Sequence, residues 1–565
     1  MVEVPNGMMP SLNGGESAKL KKSPKLNKVD NRSKTKIGVK KEKGADLETE
    51  RVDKTAWTDS IEFAPVFRPT AREFEEPFKY LKKIAAEAEK YGICKIVPPV
   101  KPSVPAGLVL NKKFQFTTNV QHLGVYSQSR KISKPISKAR KFYRSGRTYT
   151  LDTFQQMANK EMSKRFGSCG TLPSGIVEKE FWREMSKVPN AKTVEYGSDI
   201  DGSGFAAPSN CPLAHSNWNL KSFAKHSLSS LSHVKSEVPG VTEPMLYCGM
   251  LFSQFAWHVE DSFLNSINYH HLGSPKLWYG VPSSDASQFD QVASRHVFKQ
   301  DNADNLPKHM QQQYEDLAAS NFMCKTTMFS PKILIDNGVK VYKIVQEPGE
   351  FVLTFPQAYH GGFSTGFNVG EAVNFATSDW YQYGLSAEKR YQRLRKNPVV
   401  SLEELLCADF ENERKAANEK GLSEELVSAW TTKVHELVCD MGAVCFPNSR
   451  KISVNEMSTS AMPLPCSKCS ASCHLAWFMT DNDIEPKCAM CVAQEKKRGR
   501  SYALYLNPLL REYSKFCNEH NRHDQYAQAT AKNCAELDYL YNSCSRKKLK
   551  CEIEATKHVN PIKNV

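Results

Sequence analysis

The chain has 565 residues, 40% of them hydrophobic and 10% aromatic, with a formal net charge of +15. That length allows a large buried core and roughly three or four structural units. No apolar run approaches the roughly 20 residues that span a bilayer, and the N-terminus lacks the apolar centre of a signal peptide. A spanning membrane protein and a secreted disulfide scaffold are excluded, and an intracellular protein is expected.

Residues 1–56 are rich in Lys, Ser, Asn and Gly and almost free of aromatic residues, so a disordered basic tail is expected. Its run AKLKKSPKLNKVDNRSKTKIGVKKEK reads as a nuclear-import or nucleic-acid patch, or as a solubilising tail. Order is expected from Trp57. There Thr70 and Glu73 form a capping box, Pro77 suits the first position of a new helix, and Gly92 is its stop. Phe78, Leu81, Ile84, Ala85 and Ala88 give that helix one apolar face. The segment 57–101 is too small to fold alone and must pack on something later in the chain.

Residues 101–150 contain 11 Lys or Arg and no Asp or Glu. Around SRKISKPISKARKFYRSGR, with Phe142 and Tyr143 alongside, this linker suits phosphate contacts, or else is a solvated loop. A helical and mixed lead-in, 151–225, begins with a polar helical stretch from Leu151 to Lys187. From about Pro244 to Trp380 the pattern changes to short strands with Gly and Pro turns: MLYCGML, SQFAWHV, SINYHHL, KLWYGVP, VYKIVQ, FVLTFP and VGEAVNFAT. Such a series favours a barrel or a double-sheet jelly roll. A polar, helical insertion from Ser283 to Leu317 interrupts it. Residues 231–380 carry 9 basic and 15 acidic residues, a balance that welcomes a cationic partner. A helical region at 400–445 leads into a Cys/His-rich module at 460–525, and a basic tail at 545–565 again suits nuclear import.

His258 and Glu260 lie two residues apart in a strand pattern, so their side chains leave the same face as two ligands of one metal would. The third ligand is expected from His360, at the end of a distant strand. Two imidazoles and one carboxylate leave open positions, the arrangement of non-haem Fe(II) oxygenases. Lys276 falls in the next strand, where a buried cation is costly unless it meets a carboxylate, and a dicarboxylate co-substrate supplies one. Phe255 and Asn268 are expected to line the same pocket. His270 and His271, just before a turn, are expected to be structural or surface residues.

The stretch FAWHVEDSFLNSINYHHLGSPKLWYGVP, together with YHGGFSTGFNVGEAVNFATSDW, resembles the two halves of a JmjC domain. FAPVFRPTAREFEEPFKYLKKIAAEAEKYGICKIVPP resembles the companion JmjN segment. The order JmjN, JmjC and cysteine-rich module is similar to the JmjN/JmjC histone lysine demethylases, especially a plant group. The resemblance implies a mainly β, double-stranded jelly roll of the cupin-like JmjC kind over 226–390. It adds surrounding helices, a JmjN segment (57–101) packed on the jelly roll, and a C-terminal helical and zinc-finger module. It implies iron held by His258, Glu260 and His360, and 2-oxoglutarate contacted by Lys276, Phe255, Asn268 and Tyr196. Tyr247 would lie beside the methylammonium of the substrate, where a ring face attracts a cation. The implied reaction uses Fe(II), 2-oxoglutarate and O2 to remove methyl groups from trimethyl- or dimethyl-lysine of a histone H3 tail, with formaldehyde release, in the nucleus. Ala372 and Val373 stand where animal members acting on lysines 9 and 36 carry Ser-Thr. That difference points to the plant branch associated with lysine 27, with lysine 9 as rival. A protein hydroxylase and a catalytically silent chromatin-binding module are the competing readings. Nucleosomal DNA is a candidate partner of 101–150, and no membrane partner is expected.

Eleven of the 17 cysteines follow residue 438. Cys466 with Cys469 and Cys488 with Cys491 are two C-x-x-C knuckles at the spacing of a tetrahedral zinc site, Zn(II) with no open position. Cys473 and His474 are candidates for a second ion with Cys439, Cys445, Cys517 or His520.

Overall fold

The computed structural model describes residues 53–519 except 111–113, 125–141, 169, 171, 188–191, 208–210, 299–307, 417–421, 446–450, 458–462, 481–484 and 496–500, and also residue 535. The expected basic tails at both termini and the centre of the basic linker lie outside the described residues.

The first ordered segment opens with short strands β1 (Glu62–Phe63) and β2 (Val66–Phe67) and closes with β3 (Ile93–Ile96). Between them the Thr70–Glu73 capping box forms as expected, and Pro77 opens the helix Pro77–Ala88. Phe78, Leu81, Ile84 and Ala88 of that helix are buried. Gly92 ends the segment's helical part at a φ of +74°. A Cβ there would stand 2.7 Å from the Val281 carbonyl oxygen, so only glycine allows this turn to lie against the barrel. As expected, the segment does not stand alone: β1 pairs in parallel with a strand at Tyr342–Gln346, and β3 pairs with one at Phe351–Thr354.

Three strands not foreseen in the sequence follow: β4 (Gln115–His122), β5 (Tyr143–Thr150) and β6 (Thr193–Asp201). Helices Leu151–Phe166 and Ser174–Met185, which occupy the expected polar helical stretch, separate β5 from β6. Then come β7 (Met245–Gly249), β8 (Gln254–His258), β9 (Asn265–Gly273), β10 (Lys276–Val281), β11 (Tyr342–Gln346), β12 (Phe351–Thr354), β13 (Tyr359–Ser364) and β14 (Asn368–Phe375). Helices at Ala286–Val292 and Lys308–Phe322 form the expected insertion. Among the described residues, one sheet runs β1-β11-β10-β13-β8 and the other β2-β3-β12-β9-β14-β7-β6-β4-β5. Side chains from both sheets line one cavity, so the sheets face each other as in a jelly roll.

Helices Leu402–Ala416 and Glu424–Cys445 fill the region expected to be helical. They share one apolar core with a small sheet built from Lys451–Glu456, Ala476–Thr480 and Ser501–Leu506. Trp380, Tyr381 and Leu385, on the way out of the barrel, belong to that same core. No helix among the described residues is long and apolar enough to cross a membrane.

Candidate metal centre and co-substrate cavity

His258 is the last residue of β8 and His360 the second of β13, and the antiparallel register sets them directly opposite each other. Their rings lie 4.2 Å apart between centroids. Glu260 follows in extended backbone, so it leaves the same face as His258, and its Oε1 lies 3.4 Å from His360 Nε2. One donor atom from each of the three residues lies within 4.8 Å of the others. Each imidazole is oriented by the carbonyl two residues back: His258 Nδ1 lies 2.7 Å from Ala256 O and His360 Nδ1 3.1 Å from Ala358 O. With Nδ1–H donating to a carbonyl, each Nε2 lone pair is left for a metal.

Burial, then the neighbouring His360, pushes His258 down to about 3. Burial opposes the charge on Glu260, but His360 and Lys325 outweigh it and hold the carboxyl well below its usual value. A neutral imidazole beside an ionised carboxylate is what a divalent ion with mixed N and O ligands needs.

The same cavity, about 320 Å³, extends from this face to Lys276. Lys276 opens β10 and is 6% exposed, and no carboxylate among the described residues pairs with it. Its Nζ instead lies 5.8, 6.0 and 5.5 Å from the ring centroids of Tyr196, Tyr247 and Phe255. Burial pushes the ammonium down to about 8. A buried cation ringed by aromatic faces and lacking a counter-ion fits the end of an anionic ligand. Gly370 lies beside it: a Cβ there would stand in ordinary contact, 3.6 Å from Lys276 Nζ. Asn268 lines the wall between the two ends and donates to Ser266 Oγ at 3.3 Å. Tyr196 is buried at the aromatic end, and the Tyr247 hydroxyl donates to Asp199 Oδ1 at 3.3 Å. All eight residues expected at the site therefore line one cavity.

Other lining residues escaped the sequence reading. Lys325 and Asp199 both adopt left-handed backbone, at φ of +51° and +54°. The Lys325 ammonium reaches Asp261 at 3.2 Å, at the mouth beside Glu260. Gln121 of β4 closes a reciprocal amide pair with the backbone of Gln254. None of these positions shares a motif with the triad, so only the fold brings them there. The surface alternative for His270 and His271 is corrected: His270 is 1% exposed, and His271 forms a buried pair with Glu371 at 2.8 Å. Glu371 also accepts from Ser203 and Gly204, which explains why the pair turns inward to pin that loop.

At the other end of the chain the Cys466, Cys469, Cys488 and Cys491 sulfurs lie within 4.8 Å of one another. Four thiols converging at that spacing fit a tetrahedral ion with every position filled. Cys473 and His474 lie outside this four-sulfur group. The His474 backbone N–H and that of Leu475 donate to Glu403 at 2.7 and 2.8 Å, so the bend between the short strands Ser472–Cys473 and Ala476–Thr480 is held to the helical region. Cys439 lies instead beside His435, and Cys445 in the apolar core, while the side chains of Cys517 and His520 fall outside the described residues. Glu403 accepts from Lys433 at 2.9 Å, and Lys433 also reaches Glu388 at 2.6 Å.

Residues 245–375 match the family model of the JmjC domain, described as a hydroxylase, and residues 65–98 match that of the JmjN domain. The jelly roll with its His, Glu and His face is thus a JmjC domain, and the segment paired to its edges a JmjN domain. The chain resembles plant JmjN/JmjC lysine-specific demethylases. It is 48% identical over 367 residues to Lysine-specific demethylase JMJ706 of Oryza sativa subsp. japonica, covering 63% of this chain and 41% of that protein. From the same organism, Probable lysine-specific demethylase SE14 is 35% identical over 62% of this chain and 26% of its own length. Lysine-specific demethylase JMJ705 is 38% identical over 62% and 28%. The chain thus spans between about a quarter and two-fifths of the length of these relatives.

Proposed function

We propose that the protein is an Fe(II)- and 2-oxoglutarate-dependent demethylase of di- and trimethylated lysine in the histone H3 tail, acting in the nucleus. Lysine 27 is the favoured target and lysine 9 the rival. The observation that carries the reading is the uncompensated Lys276 ammonium at one end of a cavity whose other end holds His258, Glu260 and His360. A dicarboxylate reaching from a metal to a distant cation fits that length of wall.

His258, Glu260 and His360 would hold the iron, and their fixed Nε2 and carboxylate donors leave one side of it open to the cavity. Lys276 would neutralise the far carboxylate of 2-oxoglutarate, with Tyr196 and Asn268 orienting it and Phe255 walling it off from water. When bound, iron and 2-oxoglutarate would supply the chemistry by which O2 hydroxylates an N-methyl group, one oxygen atom going to the methyl and the other to the succinate formed, with CO2, from 2-oxoglutarate. Tyr247, its hydroxyl held by Asp199, would present a ring face to the methylammonium. The hydroxymethylamine product breaks down to formaldehyde and a lysine with one methyl group fewer. No nitrogen lone pair is required, so trimethyl-lysine is a substrate. The acidic balance of 231–380 favours a basic tail, and the basic linker 101–150 offers a contact to nucleosomal DNA. Zn(II) at the four cysteines would serve structure, since a filled tetrahedron admits no substrate.

The test is mass spectrometry of H3 peptides trimethylated at lysine 4, 9, 27 or 36 after incubation with the protein, Fe(II), ascorbate and 2-oxoglutarate. Stepwise loss of methylene mass from one peptide, with formaldehyde, is expected. Gain of a stable oxygen would instead identify a hydroxylase. An iron-loaded protein that alters no peptide and no nucleosome would overturn catalysis altogether.

A further inference from the structure

We propose that Tyr391 is a positioning residue for the iron site: its hydroxyl holds a strained turn that aims the Glu260 carboxylate at the metal. The inference rests on the reading of His258, Glu260 and His360 as that site.

Strand pairing holds the two histidines, but β8 ends at His258, so Glu260 is the ligand that the sheet does not hold. It is in extended backbone and leads directly into the turn Asp261–Phe263. In that turn Ser262 and Phe263 both adopt left-handed backbone, at φ of +51° and +53°. Among the described residues no other two successive non-glycine residues do so. A side chain disfavours that region, a bulky one most, so the conformation lasts only while its surroundings impose it. The turn's own hydrogen bonds run from Phe263 N–H to Glu260 O and from Leu264 N–H to Asp261 O, both at 3.0 Å. They leave the N–H and carbonyl of Ser262 to find partners elsewhere. Ser262 Oγ does not help, since it is buried and has no hydrogen-bond partner among the described residues.

Both partners come from the chain that leaves the barrel. Trp380 Nε1–H donates to Ser262 O at 3.0 Å, and Ser262 N–H donates to the Tyr391 hydroxyl at 3.2 Å. Tyr391, on the helix Tyr381–Leu394, donates in turn to Asp261 Oδ1 at 3.4 Å. Its ring packs with Phe263 and Ala387 in a small apolar cluster, and the Arg390 guanidinium lies 5.6 Å from the Phe263 ring centroid. One buried phenol thus fixes the two residues that follow Glu260, at a depth where water does not take its place. Without it Ser262 relaxes out of the left-handed region, and the carboxylate swings away from two imidazoles that stay where the sheet puts them.

The experiment is calorimetric titration of Mn(II) into the full-length protein, as wild type, Tyr391→Phe, Ser262→Gly and the double variant. Thermal melting of each metal-free form checks folding. Tyr391→Phe keeps the packed ring and loses the hydroxyl, and Mn(II) binding about tenfold weaker is expected, as for other groups that orient a metal ligand. Glycine takes up left-handed backbone without strain, so adding Ser262→Gly should recover most of that loss, beyond any gain that Ser262→Gly makes alone. A Tyr391 that only packs would lower the melting temperature and leave Mn(II) affinity unchanged. Binding by folded Tyr391→Phe within about twofold of wild type would therefore overturn the inference, as would a loss that Ser262→Gly does not recover. If Tyr391→Phe fails to fold, Trp380→Phe, which takes the donor from the Ser262 carbonyl, is judged by the same two outcomes. No binding of Mn(II) by the wild type would overturn the reading of the metal site itself.

Discussion

The chain builds two candidate metal sites by opposite means. The His258, Glu260 and His360 face is set by strand register: two histidines opposite each other across β8 and β13, and a carboxylate two residues beyond the strand. The hydrogen bonds of the sheets fix that geometry, and the three side chains are left around a cavity. The four-cysteine site has no such frame. Its sulfurs come from turns around Cys466–Ser470 and from the start of the short helix Ala489–Ala493, among small strands. There the ion would hold the chain, whereas in the barrel the chain holds the ion. A site framed by sheet keeps its shape without metal and leaves positions for chemistry; a site framed by its metal is closed and structural.

The sharpest break between them comes from removing one ligand from each. His258→Ala should abolish iron binding and turnover while melting within a few degrees of wild type, checked by metal analysis, peptide mass spectrometry and calorimetry. Retained demethylation would mean that the triad is misassigned. Cys466→Ser should do the converse, losing zinc and exposing 463–495 to limited proteolysis while 2-oxoglutarate binding by the barrel persists. A variant that keeps its zinc and its protease resistance would contradict the assignment of the knuckles.

A third substitution tests where the two regions are joined. Lys433→Met strands the buried carboxylates of Glu388 and Glu403 against each other, and breaking such a pair costs about 3–5 kcal/mol in denaturant unfolding. Adding Glu388→Gln should recover part of that loss. The smallest effect is a pH dependence confined to the barrel. Lys276 without ligand is held near 8, below its ordinary value, so the protonated form that binds a carboxylate is lost as pH rises through that point. Affinity for 2-oxoglutarate should be flat below about pH 7.5 and weaken by up to tenfold per unit above about pH 8.5. Lys276→Met should remove the dependence along with most of the affinity.

Much of the barrel was legible because its strands carry strong local signals. The two-residue spacing of His258 and Glu260 in an extended run fixed their shared face, and Gly and Pro turns marked the strand ends. The missing parts depend on chain pairing at long range. β4 and β5 are rich in Thr, Asn, Gln and Arg and read as linker, and β6 fell within the mixed lead-in, yet the three extend the larger sheet and bring Gln121 and Tyr196 to the cavity. Asp199 and Lys325 arrive through left-handed turns that no glycine announces. His271 could be read as either structural or surface because its partner, Glu371, is a hundred positions away. The cysteine knuckles were legible by spacing alone, but not Glu403, which pairs with Lys433 on the next helix and accepts from the His474 and Leu475 N–H groups of the cysteine segment, since single charges carry no pattern.

The parallel pairing of β1 with β11 has a consequence in time. Glu62 meets Tyr342, so the first strand is made long before its neighbour exists. At about 5–20 residues per second of synthesis, the wait is on the order of 15–60 s. During it the JmjN segment has an apolar helix face and open strand edges with no sheet to join, because β11, which links β1 to the rest of the smaller sheet, is made late. The nascent chain must therefore be kept from pairing with itself or with others, and assembly of the barrel ends with capture of the segment that left the ribosome first.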